Sequence, residues 1–185
     1  MTDSEKGFAM LFLALMMGKR QVAWGEGWVW PVPEMHQATR VLSPVISQEF
    51  RGRTAAHPHY GVDIMYPGGV ALDHEAFWMP VGVPALAARA GVVWSTQHTG
   101  RGWNVVLDNG PPFATFYQHL AGPPLVRAGQ RVAAGDQLGE IGADPMDAAG
   151  LRHLHFAVWY KGHGDEASVD PGSVLSSWPK IPWWP

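Results

Sequence analysis

Glycine and proline supply 38 of the 185 residues, 22 and 16 respectively, and this density of chain breakers constrains the fold more than any other feature. Both residues are costly inside helices, and a helix of ordinary length needs about three uninterrupted turns. With roughly one breaker for every five residues, the chain has room mainly for short strands joined by turns. The total still falls below the roughly 25–30% typical of low-complexity sequence, and 46% of the residues are hydrophobic, enough for a real core. Four runs between breakers are rich in β-branched and aromatic residues, as strands are: Gly91–Thr96, Trp103–Leu107, Ala114–His119 and His153–Tyr160. Asp108-Asn109-Gly110, between two of them, is a hairpin signal. The expectation is a mainly β domain of antiparallel sheets.

The two ends read differently. Residues Phe8–Met17 are all apolar, but a membrane-spanning helix needs about 20 such residues. Acidic residues precede the run and Lys19-Arg20 follow it, the reverse of a secretory signal. Thr2-x-x-Glu5 reads as a capping box and Gly18 as a helix C-cap. Residues 1–27 are therefore expected to form a short apolar helix and linker, buried in the domain or in a protein partner. Residues 28–175 form the main domain, and residues 176–185, rich in Pro and Trp, a tail that lies across it or docks a partner.

Composition narrows the chemistry. A net charge of −3 leaves no electrostatic footprint for nucleic acid. The chain has no cysteine, which removes disulfide scaffolds, thiol catalysis, iron–sulfur clusters and thiolate-held zinc. A metal here must be held by histidines and carboxylates, and nine histidines are available.

Three histidine motifs stand out. His59-x-x-x-Asp63 is weak alone, since nine His and nine Asp produce such a pair about 0.4 times by chance. His153-Leu154-His155 opens a strand-like run, where alternate residues share a face. His57-Pro58-His59 has the same spacing but straddles a proline. His119 ends the Ala114–His119 run. One Asp and four His spread over three segments supply what a catalytic zinc needs, three ligands with an open position, plus imidazoles for proton transfer.

The order of motifs resembles the lysostaphin-type (LytM-like) zinc metallopeptidases, which cleave peptide bonds in peptidoglycan. The matching stretches are Trp30–Pro33, Ser47–Arg53, His59–Asp63 (HYGVD), Met79–Trp94, Phe116–Leu120 (FYQHL), Val126–Gly142, a glycine-paced hairpin, Arg152–Phe156 (RHLHF) and Val169–Pro171. The resemblance implies an open groove across antiparallel sheets, Zn²⁺ held by His59, Asp63 and His155, and His119 and His153 as catalytic histidines. It implies a peptidoglycan stem peptide or cross-link as substrate and action at the cell wall. With no convincing signal, release by lysis or carriage on a virion, as by a phage lysin, is the expected route. Tyr117, two residues before His119, is expected to share its face, more as a packed aromatic than as a substrate contact.

Some stretches depart from the pattern. The Ser47–Arg53 segment is distorted, and residues 64–79 are longer than expected, with His74 flanked by Asp73 and Glu75. That loop reads as a groove wall, with His74 as a resting-state metal cap the lesser reading. Val126–Gly142 also resembles biotinyl and lipoyl domains, but no lysine lies on a suitable turn. A structural or regulatory wall-binding component that uses the peptidase fold is the competing function.

Overall fold

The computed structural model of the chain describes residues 26–52, 58–68 and 77–185. The apolar helix expected within residues 1–27 lies almost wholly outside the described residues, as do His57 and His74. Among the described residues no helix is long and apolar enough to cross a membrane.

Fourteen strands are described. In chain order they are β1 (Glu34–Gln37), β2 (Arg40–Leu42), β3 (Val45–Gln48), β4 (Val62–Pro67), β5 (Phe77–Trp78), β6 (Pro84–Leu86) and β7 (Gly91–Thr99). They continue with β8 (Gly102–Asp108), β9 (Phe113–Leu120), β10 (Arg131–Val132), β11 (Gln137–Glu140), β12 (Leu154–Tyr160), β13 (Ser168–Val169) and β14 (Pro182–Trp183). One four-residue helix, α1 (Gly172–Leu175), follows β13. Seven strands form the main sheet in the order β10-β7-β8-β9-β12-β4-β3, with β13 beside the end of β12 and β5 beside the end of β4. The four strand-like runs of the sequence are β7, β8, β9 and β12, and the Asp108-Asn109-Gly110 signal lies in the β8–β9 connection. The Asp108 carboxylate accepts the Gly110 N–H at 2.9 Å there.

Period-two alternation gives the sheet two faces. On β12, Leu154, Phe156 and Val158 are fully buried, and on β8 and β9 so are Val105, Leu107 and Tyr117. These side chains build the main core. The opposite face carries Phe116, Ala157 and Trp159 in a smaller cluster, and His155 beyond them.

The segment Val126–Gly142 does not form the expected hairpin. The chain just before the segment bonds to its second half, Leu125 N–H to the Leu138 carbonyl and Ala121 N–H to the Glu140 carbonyl, both at 2.8 Å. Its strands pair elsewhere: β10 with β7, and β11 with β6 in a separate two-stranded sheet. Each half satisfies its backbone groups on a different neighbour, so the segment straps two sheets together.

The Pro/Trp-rich residues 176–185 are built into the fold. Trp178 stacks on Trp28 (centroids 4.6 Å, 16° between planes) and meets Phe156 edge-on. β14 pairs in parallel with β1, and the Trp30 N–H donates to the Pro179 carbonyl at 3.0 Å. Truncating a packed aromatic removes its buried area and leaves a cavity. Trp178→Ala is therefore expected to cost about 3–5 kcal/mol in urea unfolding. Trp184, 69% exposed, should change stability by less than about 0.5 kcal/mol when replaced by Ala.

Candidate metal centre

Sheet register brings the first residues together. Asp63 on β4 is directly opposite His155 on β12, and side chains opposite one another in antiparallel strands are neighbours. His59 lies in the approach to β4 and is clamped from both sides. Its Nδ1–H donates to the Glu49 carbonyl at 3.0 Å, and its own carbonyl accepts the Arg51 N–H at 2.7 Å. The Ser47 hydroxyl donates to the Asp63 carbonyl at 3.1 Å. Ser47, Glu49 and Arg51, within the distorted stretch, thus hold both His59 and Asp63.

Three donor atoms converge. His59 Nε2 lies 2.9 Å from His155 Nδ1 and 3.0 Å from Asp63 Oδ1, and His155 Nδ1 lies 3.1 Å from the same oxygen. His59, Asp63 and His155 are the one group among the described residues whose ligand atoms all lie within 4.8 Å of one another. Two imidazole nitrogens and a carboxylate oxygen at this range must share a proton or a metal ion among them. Tetrahedral bonds of 2.0–2.1 Å place zinc ligands about 3.3 Å apart, close to the triangle seen here. The donor set and its spacing fit zinc. The Glu49 carbonyl is the outer bond that leaves His59 Nε2 free to ligate.

Burial alone would raise the Asp63 carboxyl, but His155 and His59 outweigh it and hold the group well below the usual carboxylate range. Burial lowers His155, with Asp63 opposing. Both groups are thus biased to the unprotonated forms that bind metal.

His119 and His153 lie beside this triangle. Their rings are 4.6 Å apart, and His119 is 6.0 Å from His155, between centroids. His153 Nε2 is 3.8 Å from Asp63 Oδ1. Each ring donates Nδ1–H to a backbone carbonyl, His119 to Arg101 at 2.9 Å and His153 to Leu151 at 3.0 Å. Each Nε2 is left as the acceptor. Burial, with His153 adding to it, pushes His119 down to about 4, so this imidazole is neutral at pH 7.

Strict alternation would put His119 on the core face with Tyr117. A register shift between β8 and β9, after Trp103, changes this, and His119 takes the left-handed conformation (φ 67°). Such bulges re-aim a side chain. Tyr117 consequently does not share the face of His119: it is fully buried, and its hydroxyl accepts the Ala88 N–H at 2.7 Å. His153 also departs from the simple strand reading. It precedes β12, and its N–H donates to the Gly142 carbonyl at 3.1 Å. The Gly142 N–H in turn donates to the His119 carbonyl at 2.6 Å, so one residue holds both histidine backbones.

The centre opens into a groove of about 630 Å³ lined by Asp63, His153, Arg101, Asp144 and the apolar Met65 and Met146. Arg101 and Asp144 carry no motif spacing. The Glu49 and Gly142 roles are played by backbone atoms, which sequence does not mark.

Gly61 packs under the centre with no room for a side chain. A Cβ there would lie 2.7 Å from the Phe156 carbonyl oxygen and 2.8 Å from His155 Nε2. Gly61→Ala should displace the His155 ring and weaken metal binding by about 10–100-fold, the range seen when a ligand loses its support. Competition with a zinc-responsive chelator measures it, and unchanged affinity would contradict the placement.

The chain is similar to known proteins in sequence and in fold. Vibrio cholerae peptidoglycan DD-endopeptidase ShyA is 32% identical over 124 residues, covering 66% of this chain and 25% of ShyA, so the chain spans about a quarter of the curated relative it matches. A Ruminococcus gnavus protein assigned as a LytM glycyl-glycine endopeptidase superposes with TM-score 0.65 and 25% identity, covering 87% of this chain and 64% of that one. The catalytic domain of lysostaphin from Staphylococcus simulans shares the fold, with TM-score 0.55 and 22% identity over 73% of this chain and 92% of that one. The model of peptidase family M23 matches residues 57–171, more than half of the chain and all five residues of the centre, and the chain belongs to that family.

Proposed function

We propose that the chain is a zinc-dependent endopeptidase that hydrolyses peptide bonds in bacterial peptidoglycan, in stem peptides or their cross-links. The observation that carries the reading is the convergence of His59 Nε2, Asp63 Oδ1 and His155 Nδ1 within 3.1 Å of one another, beside two further histidines and against a groove that Asp63 and His153 line. ShyA, a relative by sequence, is by name a peptidoglycan DD-endopeptidase, which supports the substrate class. The substrate lies outside the cytoplasmic membrane, so the chain acts at the wall.

His59, Asp63 and His155 would hold the metal. Zinc bound there would supply Lewis acidity and a water acidified to a pKa of about 7. The residues supply the rest. His119 and His153 present Nε2 as acceptor because each Nδ1–H is committed to a backbone carbonyl. One of the pair takes the proton of the attacking water on Nε2 and returns it to the leaving amine. The low proton affinity of His119 keeps it ready as an acceptor at neutral pH.

Two experiments test the reading. Digestion of purified peptidoglycan should release new free amines without new reducing sugars; reducing ends would mean glycosidase chemistry and refute it. Purified protein should carry about one zinc per chain. His155→Ala should lose both metal and activity, whereas His153→Ala should keep zinc and lose at least about 100-fold in turnover. Full turnover by His153→Ala would remove it from the catalytic pair.

A further inference from the structure

Asp144 is a buried carboxylate with no part in the metal triangle. It lies in the turn after β11 and is 5% exposed. Its Oδ2 accepts an Arg101 Nη1–H at 2.6 Å, and its Oδ1 accepts the Met146 N–H at 2.9 Å. Its nearest carboxylate oxygen is 3.9 Å from His119 Nδ1, beyond hydrogen-bond reach. The connection to His119 runs instead through Arg101. The guanidinium of Arg101 is held by Asp144, and its backbone carbonyl accepts the His119 Nδ1–H at 2.9 Å.

Arg101 needs such an anchor. It sits in the short turn between β7 and β8, whose preceding residues Gln97–Gly100 are all exposed. Within the turn the Arg101 N–H donates to the Thr99 hydroxyl at 3.2 Å and that hydroxyl donates to the Gly102 carbonyl at 3.3 Å, but neither bond holds the Arg101 side chain. Exposed turns are the mobile parts of a fold, yet this one supplies the acceptor that sets the His119 tautomer. A buried carboxylate paired with a guanidinium resists being broken, because the separated charge would stay buried. Asp144 itself is fixed by its own turn, with the Asp147 N–H donating to its carbonyl at 3.0 Å.

We propose that Asp144, through its ion pair with Arg101, is a positioning residue that keeps the Arg101 carbonyl on His119 Nδ1–H and so leaves Nε2 as the acceptor. The inference rests on the reading of His119 as one of the two histidines acting beside the metal. Asp144 lines the groove but is not part of the metal triangle.

Asp144→Ala and Arg101→Ala both remove the clamp and leave the Arg101 carbonyl in the chain. Each should lower kcat about 10–100-fold, the range for a lost outer partner, with KM within about twofold and zinc still near one per chain. The double variant should be no worse than either single one, because the two residues act as a unit. Arg101→Lys, which can keep the single contact, should recover most of the turnover. Imidazole ¹⁵N spectra of the metal-free protein, with His119 assigned by its loss in His119→Ala, should show the Nδ1–H form in the parent and a tautomer mixture in Asp144→Ala. An unchanged tautomer, additive losses, or a fall in activity that tracks lost zinc would each overturn the proposal. Should Asp144→Ala fail to fold, Arg101→Ala and its spectrum carry the same test. An absence of peptidoglycan turnover in the parent would refute the enzymatic reading, while the tautomer measurement would still decide the positioning role.

Discussion

Asp63 and His155 stand opposite each other on neighbouring strands, and with His59 they press three electron-rich atoms to within 3.1 Å. Such a cluster needs a shared proton or a cation among its atoms, and its position is imposed by the backbone. The pairing of β4 with β12 supplies that imposition, and fully buried residues on the reverse of the same strands, Ile64, Leu154 and Phe156, fix the register. A slip by one residue would turn the ligands into the core and the core residues into the groove. Packing and metal binding thus depend on the same register.

The remaining parts of the centre are held by backbone atoms. The Glu49 carbonyl orients His59, the Arg101 carbonyl orients His119, the Leu151 carbonyl orients His153, and Gly142 joins the backbones of the last two. Carbonyl acceptors cannot ionise, so they set tautomers independently of pH. A side-chain carboxylate in the same places would add charge and raise the proton affinity of the rings. At His119 burial prevails although the Arg101 carbonyl and the nearby Asp144 carboxylate act the other way. Holding each Nδ1–H on a carbonyl is what leaves each Nε2 as an acceptor.

Much of this was legible before any coordinates. Glycine and proline density indicated short strands, and the four aromatic and β-branched runs coincide with β7, β8, β9 and β12. The histidines and aspartate were visible by residue type, and the order of motifs tied them together. What alternation could not reveal was the bulge at His119, because an extra residue in one strand depends on what the partner strand does. The same bulge separated Tyr117 from the face it was expected to share. The Val126–Gly142 stretch was misread for a similar reason: glycine spacing locates turns, but pairing is decided by which neighbour offers unpaired backbone groups. Asp144 escaped notice because an isolated acidic residue in a turn looks the same whether solvated or buried.

Trp28 lies against Trp178, and the strand that begins at Glu34 is bonded to the one that ends at Trp183. The first and last described segments are thus zipped along each other across some 150 positions of sequence. Contacts of such separation are slow to form, since the whole intervening loop must be closed first. During synthesis the aromatic seat prepared by Trp28 must wait until residues 178–183 have emerged. The domain therefore completes its core only as its final stretch becomes available, and until then that surface is open to unwanted association.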